Sequence, residues 1–111
     1  MPNKKYASCI EACDACAVAC DFCAASCLQE QDVKMMARCI ATDMDCAQIC
    51  RLAASYMARG SEFAKVICQQ CADICQACSD ECAKHQMSHC QECAAACKRC
   101  ADECRRMATA G

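Results

Sequence analysis

The sequence predicts an all-α protein, an antiparallel up-down four-helix bundle with a core lined by cysteine side chains. Three observations predict it: 19 of the 111 residues are Cys, the cysteines recur at intervals of three and four, and the chain has only 2 Gly and 1 Pro. Side chains three and four residues apart share one face of a helix. The length suits one domain, which we expect to span residues 1–111.

Cysteine spacing divides the chain into four predicted helices. Eight of the 18 intervals between successive cysteines are four residues long and six are three. The cysteines form four segments, over residues 9–27, 39–50, 68–82 and 90–104. Short connections between such helices favour antiparallel neighbours, which gives the up-down bundle.

Polar residues and one glycine mark the predicted helix ends. Ser or Thr followed three residues later by Glu or Gln has the spacing of a capping box, and Asp is a favoured N-cap. A glycine just past a helix is typical of its C-terminus. The expected boundary residues are Ser8 with Glu11, Asp32, Gly60 with Ser61, and Ser88 with Gln91.

Composition and charge exclude several classes of protein. A net charge of −2 argues against a protein that binds nucleic acid by neutralising phosphates. No apolar run approaches the length of a membrane span, so no membrane partner is expected. The N-terminal residues lack the pattern of a secretory signal, and the number of cysteines is odd. We therefore expect a cytoplasmic protein with reduced thiols rather than a disulfide scaffold.

A core of thiols suits metal binding better than packing or disulfides. Cysteine does pack as a small apolar residue, but Leu or Ile at so many core positions would stabilise a bundle more. Cβ atoms at positions i and i+4 of a helix lie about 5–6 Å apart. A disulfide needs about 3.5–4.5 Å. A metal ion between two thiolates relaxes that requirement, so the pairs four residues apart are interpreted as metal clamps.

Charge favours Cu(I) among the metals that thiolates bind. Soft ligands select Cu(I), Zn(II) or iron–sulfur clusters. About nineteen monovalent ions would neutralise the thiolates one for one, each thiolate bridging. Zn(II) with four ligands each would leave about nine to eleven negative charges in the core. Iron–sulfur clusters are disfavoured because the chain has no run of C-x2-C-x2-C.

All the cysteines are candidate metal ligands, and a few other residues lie in register with them. The cysteine set is Cys9, Cys13, Cys16, Cys20, Cys23, Cys27, Cys39, Cys46, Cys50, Cys68, Cys71, Cys75, Cys78, Cys82, Cys90, Cys93, Cys97, Cys100 and Cys104. Asp43 stands where the ladder of the second helix expects another cysteine. It is either an occasional oxygen ligand or a hydrogen-bond partner of a thiol.

The two ends of the predicted bundle differ in their side chains. One end collects Met35, Met36, His85, Met87 and His89. Thioether and imidazole bind Cu(I) more weakly than bridging thiolates do, so we expect this end to admit the metal, with Met36, His85 and His89 as candidate ligands. The opposite end is expected to be an apolar plug of Tyr6, Met57, Phe63 and Met107.

These ladders resemble the cytosolic bacterial copper storage proteins, which are four-helix bundles filled with cysteine. The resemblance covers essentially the whole chain and rests on the cysteines of the four segments, with Cys39 in register. It implies storage of many Cu(I) ions by these cysteines, a homotetramer and a cytoplasmic location. A copper chaperone or a downstream copper enzyme is a further expected partner.

Two other functions remain open at this stage. One is a buffer of Zn or Cd of the metallothionein type, although metallothioneins favour C-x-C and C-C spacings that this chain lacks. The other is a thiol redox buffer that forms reversible disulfides. No enzyme activity is expected, because the C-x-x-C pairs are repeated and interior and no Ser, His and Asp set accompanies them.

Overall fold

The computed structural model describes residues 4–110. This part of the chain forms four α-helices, with short 3₁₀ turns at Lys4–Tyr6 and Val33–Met36 before the first two. The helices are α1 (Ala7–Cys27), α2 (Ala37–Ala58), α3 (Ala64–Ala83) and α4 (Ser88–Thr109). The all-α prediction is confirmed, and residues 1–3 and 111 of the expected domain lie outside the described residues.

The helices form an antiparallel bundle in which each packs on its neighbours in sequence and α4 closes against α1. Thiol contacts between α1 and α4 show the opposite directions of the two helices. Cys9 contacts Cys104 at one end, whereas Cys27 contacts Cys90 at the other. The bundle measures 45 × 20 × 18 Å. None of the helices in residues 4–110 has both the length and the apolar character needed to cross a membrane.

The turn between α2 and α3 follows the sequence prediction closely. Gly60 has a positive φ of 65°. Its N–H donates to the carbonyl of Met57, and the N–H of Ser61 donates to the carbonyl of Tyr56, both at 3.0 Å. These two bonds form a Schellman motif, which glycine favours because it has no Cβ to clash. The hydroxyl of Ser61 also accepts from the N–H of Phe63 at 3.1 Å.

Asp32 was expected to cap the second helix, and it caps the 3₁₀ turn directly before that helix. Its side chain accepts a hydrogen bond from the N–H of Met35 at 3.3 Å, and the capped segment begins as the 3₁₀ turn that leads into α2. This bond satisfies one of the free N–H groups at the start of a helix. Asp32 is therefore the N-cap of the 3₁₀ turn that leads into α2, and the N-cap position of α2 itself is occupied by Met36.

Neither predicted capping box forms. The 3₁₀ turn continues directly into α1 from Tyr6, which places Ser8 inside the helix rather than before it. Ser88 is the first residue of α4, and Met87 occupies the N-cap position. The amide of Gln91 instead donates to the carbonyls of His85 at 2.6 Å and Ala83 at 3.3 Å. Gln91 thus satisfies carbonyls at the end of α3.

The core contains small side chains. Each of the 19 cysteines has no solvent exposure, and alanines such as Ala17, Ala47, Ala72 and Ala101 are buried beside them. Small flanking residues allow the four backbones to approach closely, so that thiols from different helices touch. The core is therefore a narrow column of sulfur atoms along the bundle axis.

One end of this column is covered by apolar side chains, as predicted for three of four residues. Tyr6, Met57 and Met107 are buried. Phe63 was expected to join them, and that expectation is wrong, since its ring is 57% exposed. Phe63 occupies the N-cap position of α3, where the chain turns and its side chain points outward.

Candidate metal centre

Thiols of different helices lie in contact along the whole column. The Sγ atoms of Cys16 and Cys97, of Cys46 and Cys75, and of Cys39 and Cys82 are 3.5 Å apart in each pair. All 19 cysteines are free. A disulfide joins sulfurs at about 2.05 Å. The thiols are therefore neighbours without being bonded.

Pairs four residues apart have the separation that was interpreted as a metal clamp. Seven of the eight such steps bring their sulfurs to between 3.7 and 4.0 Å. The pairs are Cys16–Cys20, Cys23–Cys27, Cys46–Cys50, Cys71–Cys75, Cys78–Cys82, Cys93–Cys97 and Cys100–Cys104. A metal ion between two sulfurs suits this spacing better than a disulfide does.

Groups of four thiols overlap by sharing members. Three successive groups in the middle of the column are Cys16, Cys46, Cys50 and Cys75; then Cys16, Cys20, Cys46 and Cys97; then Cys20, Cys78, Cys93 and Cys97. Isolated tetrahedral sites would need four ligands each, twelve in all. Only eight cysteines supply these groups, so neighbouring ions would have to share bridging thiolates. The arrangement fits a continuous cluster of metal ions.

Burial is the main cause of a raised pKa for the thiols of Cys27, Cys39 and Cys90. Burial and the nearby sulfur of Cys23 raise the pKa of Cys90 to about 11. Burial, followed by the charge of Asp43, also raises the pKa of Cys39 well above its usual value. A buried thiolate without a counterion is unfavourable. A monovalent cation that replaces each proton would leave the column without net charge.

Asp43 lies inside the column and is fully buried. Its Oδ1 accepts hydrogen bonds from the thiols of Cys78 at 3.2 Å, Cys82 at 3.3 Å and Cys93 at 3.2 Å. Burial, reinforced by the surrounding cysteines, raises the pKa of Asp43 to about 9. Of its two expected roles, hydrogen bonding to thiols is the one that this geometry displays.

His89 joins the column at the end where α1 stops and α4 begins. Its Nδ1 lies 3.5 Å from the sulfurs of Cys23 and Cys90 and 3.9 Å from that of Cys27. Its Nε2 lies 3.0 Å from Oε2 of Glu30. Burial lowers the pKa of His89, but the bonds to Cys23 and Glu30 outweigh burial and raise it overall.

Met36 and His85 occupy the same end but differ in their surroundings. Met36 is fully buried in the core cluster. The Nε2 of His85 pairs with Oε2 of Glu81 at 2.9 Å, one helical turn away. The same carboxylate meets Arg38 at 3.3 Å and Lys84 at 3.5 Å.

The remaining methionines of this end are less enclosed. Met35 is 62% exposed, and Met87 packs on the core while partly buried. His89 therefore contacts the thiols directly, Met36 is buried in the core that contains them, and Met35 lies at the surface.

Sequence reasoning missed the two carboxylates that hold the histidines. Glu81 and His85 are four residues apart on one helix, so that pair could have been anticipated from spacing. Glu30 and His89 are 59 residues apart in the chain, and Glu30 lies in the turn after α1. Only the packing of α1 against α4 brings that second pair together.

Comparisons with known proteins agree with this geometry. The model of the family described as "Csp: Copper storage protein" matches residues 2–109. The structure is similar to the Cu(I)-bound copper storage protein BsCsp3, with 49% identity over 94% of this chain and 98% of that one and a TM-score of 0.90.

Two further relatives are similar over much of the chain. A cytosolic copper storage protein from Streptomyces lividans, solved with five coppers, is 39% identical over 98% of this chain and 96% of its own, with a TM-score of 0.94. The uncharacterised cysteine-rich protein YhjQ of Bacillus subtilis (strain 168) is 50% identical over 82 residues, 74% of this chain and 76% of YhjQ. The chain belongs to the copper storage protein family.

Proposed function

We propose that this protein stores Cu(I) in the cytoplasm and binds about one ion per cysteine through bridging thiolates. The observation that carries the proposal is the continuous column of fully buried thiols whose groups of four share members. Family membership and the Cu(I)-bound relatives support it. Storage is a binding function, and no catalytic step is part of the proposal.

Charge balance and ligand sharing favour Cu(I) over Zn(II) or Cd(II). A divalent ion with four thiolates of its own carries a surplus of negative charge, which is costly in a core without solvent. Cu(I) with bridging thiolates leaves the column neutral and uses each sulfur more than once. The overlapping groups around Cys16, Cys20, Cys46 and Cys97 have the arrangement that such bridging needs.

An anaerobic titration of the fully reduced protein tests the proposal. Cu(I) is added in the presence of a chromogenic Cu(I) chelator, and bound copper is counted per chain. Storage predicts saturation near one ion per thiol, with copper retained against the chelator. Saturation at about four or five ions would favour a Zn or Cd buffer. Rapid loss of copper with disulfide formation in air would favour a thiol redox buffer.

Copper uptake is proposed to occur at the His89 end of the bundle, the end formed by the last turn of α1 and the first turn of α4. There an imidazole contacts Cys23, Cys27 and Cys90 directly, and Met36, three residues before Cys39 in the sequence, is buried in the core. These ligands exchange faster than bridging thiolates do. The opposite end, which we call the Met57 end, is covered by Tyr6, Met57 and Met107, and its described residues include no histidine.

A homotetramer is proposed for the protein in solution, as its resemblance to the family implies. Several large apolar side chains on the outer faces of α1 and α2 support self-association, since they are exposed in the single chain. They include Val18, Phe22, Met44 and Leu52. Sedimentation equilibrium measures the assembly directly, and a monomer at micromolar concentration would contradict it. A copper chaperone or a copper enzyme as partner would be sought by transfer of Cu(I) between purified proteins.

A further inference from the structure

Glu30 is the carboxylate that contacts His89 at the His89 end. It lies in the turn that follows α1, where its N–H donates to the carbonyl of Cys27 at 3.1 Å. Its Oε2 lies 3.0 Å from Nε2 of His89. The side chain of Glu30 is 32% exposed and that of His89 is 13% exposed. The pair therefore stands at the boundary between the solvent and the column.

The chemistry of this contact fixes the ring of His89. An ionised carboxylate can only accept a hydrogen bond, so Nε2 must carry the hydrogen. In the neutral ring, Nδ1 then has a lone pair and no hydrogen. That nitrogen is the one 3.5 Å from the sulfurs of Cys23 and Cys90. The ligand atom is thus directed at the outermost thiols of the column.

We propose that Glu30 is a positioning residue for copper uptake: it holds His89 in the tautomer and orientation that present Nδ1 to a Cu(I) ion arriving at Cys23, Cys27 and Cys90. The proposal rests on the proposed role of the His89 end in uptake. Carboxylates that accept from the second nitrogen of a metal-binding histidine act in this way in metalloproteins. Glu30 itself does not touch the metal.

The second histidine pair lacks the features that carry this proposal. The carboxylate of Glu81 accepts a hydrogen bond from His85 and also forms ion pairs with Arg38 and Lys84. It therefore interacts with three side chains, not with the histidine alone. Moreover, the ring nitrogen brought to the thiols in the described structure is that of His89. Glu30 and His89 form the pair that links the turn after α1 to the column.

The first test measures how quickly reduced, metal-free protein takes Cu(I) from its complex with bicinchoninate in a stopped-flow instrument. The variants are His89→Ala, Glu30→Ala and Glu30→Gln, and Glu11→Ala is the matched control. Glu11 is an exposed carboxylate on α1 whose partner is Arg99 on α4. We expect Glu30→Ala to slow the initial uptake about ten-fold, as His89→Ala does. Glu30→Gln should restore most of the rate, because its amide oxygen still accepts from Nε2.

The second test observes the tautomer without any metal. Long-range ¹H–¹⁵N correlation spectra of the histidine rings, recorded above the pH at which His89 titrates, distinguish a hydrogen on Nε2 from one on Nδ1. We expect His89 to carry its hydrogen on Nε2 in the wild type and in Glu30→Gln. In Glu30→Ala, the two tautomers should be mixed. A purely structural role for Glu30 would leave this spectrum unchanged.

The outcomes separate this proposal from the one on which it rests. If His89→Ala slows uptake while Glu30→Ala behaves as the wild type does, Glu30 has no positioning role. If His89→Ala itself takes up copper at the wild-type rate, the uptake role of the His89 end fails and the positioning role fails with it. If Glu30→Gln is as slow as Glu30→Ala while the tautomer is unchanged, negative charge rather than positioning is what matters, and the proposal is overturned.

Discussion

The His89 end and the Met57 end terminate the same column of thiols with different chemistry. At the His89 end an imidazole touches three thiols and a partly exposed carboxylate holds that imidazole. At the Met57 end the buried side chains of Tyr6, Met57 and Met107 cover the last cysteines. One end can therefore exchange ligands with an incoming ion, and the other mainly excludes water. We therefore expect copper to fill the column from the His89 end.

The largest effect is expected at the Met57 end, on stability. Met57→Ala removes a fully buried side chain from a core that has few large ones, so we expect a loss of about 2–5 kcal/mol in the free energy of unfolding. Denaturant unfolding of the reduced, metal-free protein, followed by circular dichroism, measures it. Phe63→Ala is the control, since its exposed ring should change stability by no more than about 0.5 kcal/mol. Equal losses in the two variants would show that Met57 does not close the column.

The next effect concerns pH and the buried carboxyl of Asp43, whose pKa of about 9 lies far above the ordinary value of 3.8. At pH values between 3.8 and about 9, the carboxyl of Asp43 is protonated in the folded state and ionised in the unfolded state. The contribution of Asp43 to stability is therefore fully present below pH 4 and falls by up to about 1.4 kcal/mol per pH unit as the pH rises towards 9. Asp43→Asn should remove this contribution to the change of unfolding free energy with pH. Unfolding of both metal-free proteins between pH 5 and 8 measures the difference, and parallel slopes would contradict it.

A smaller effect distinguishes the two fully buried methionines. Met36→Leu and Met57→Leu keep volume and apolar character, so each should cost less than about 1.5 kcal/mol in stability. Only Met36→Leu removes a thioether from the proposed uptake end. We expect it to slow the initial transfer of Cu(I) from bicinchoninate several-fold, with Met57→Leu unchanged. Slower transfer in Met57→Leu would mean that copper also passes the Met57 end.

The smallest effect is on capacity. Cys97 contacts Cys16 and Cys20 at 3.5 Å and belongs to two of the overlapping groups, whereas Cys68 lies towards the Met57 end. Cys97→Ala should therefore lose more than one bound ion per chain, and Cys68→Ala about one. Anaerobic copper counting by atomic absorption measures both. If Cys97→Ala lost no more than Cys68→Ala, the groups would not share bridging thiolates.

The sequence predicted the helices and the column because both follow from a single periodicity. Intervals of three and four fix which face of each helix is buried, and the short connections fix the order of the helices. The expected glycine turn at Gly60 also formed, because a positive φ is a local property of the chain. The capping boxes at Ser8 and Ser88 did not form. The first 3₁₀ turn continues directly into α1 and places Ser8 inside the helix, and Met87 rather than Ser88 occupies the N-cap position of α4.

The chemistry of the His89 end could be predicted only in part. The spacing of the cysteines predicted that Met36 and His85 lie near the column, and the order of the helices predicted that His89 lies at the same end. It could not show that the ring of His89 reaches across to Cys23 on α1, because that contact depends on how α1 and α4 pack. The contact with Glu30 depends further on the path of the turn after α1. Periodicity within one helix carries no information about either contact.

The scarcity of large side chains in the core has a consequence for how copper content can be followed. Cysteine and alanine bury little apolar area each, so packing contributes modestly to the folded state of the metal-free chain. An ion that binds only the folded state adds its binding free energy to stability. Each increment of bound Cu(I) should therefore raise the melting temperature, and thermal denaturation becomes a gauge of how full the protein is.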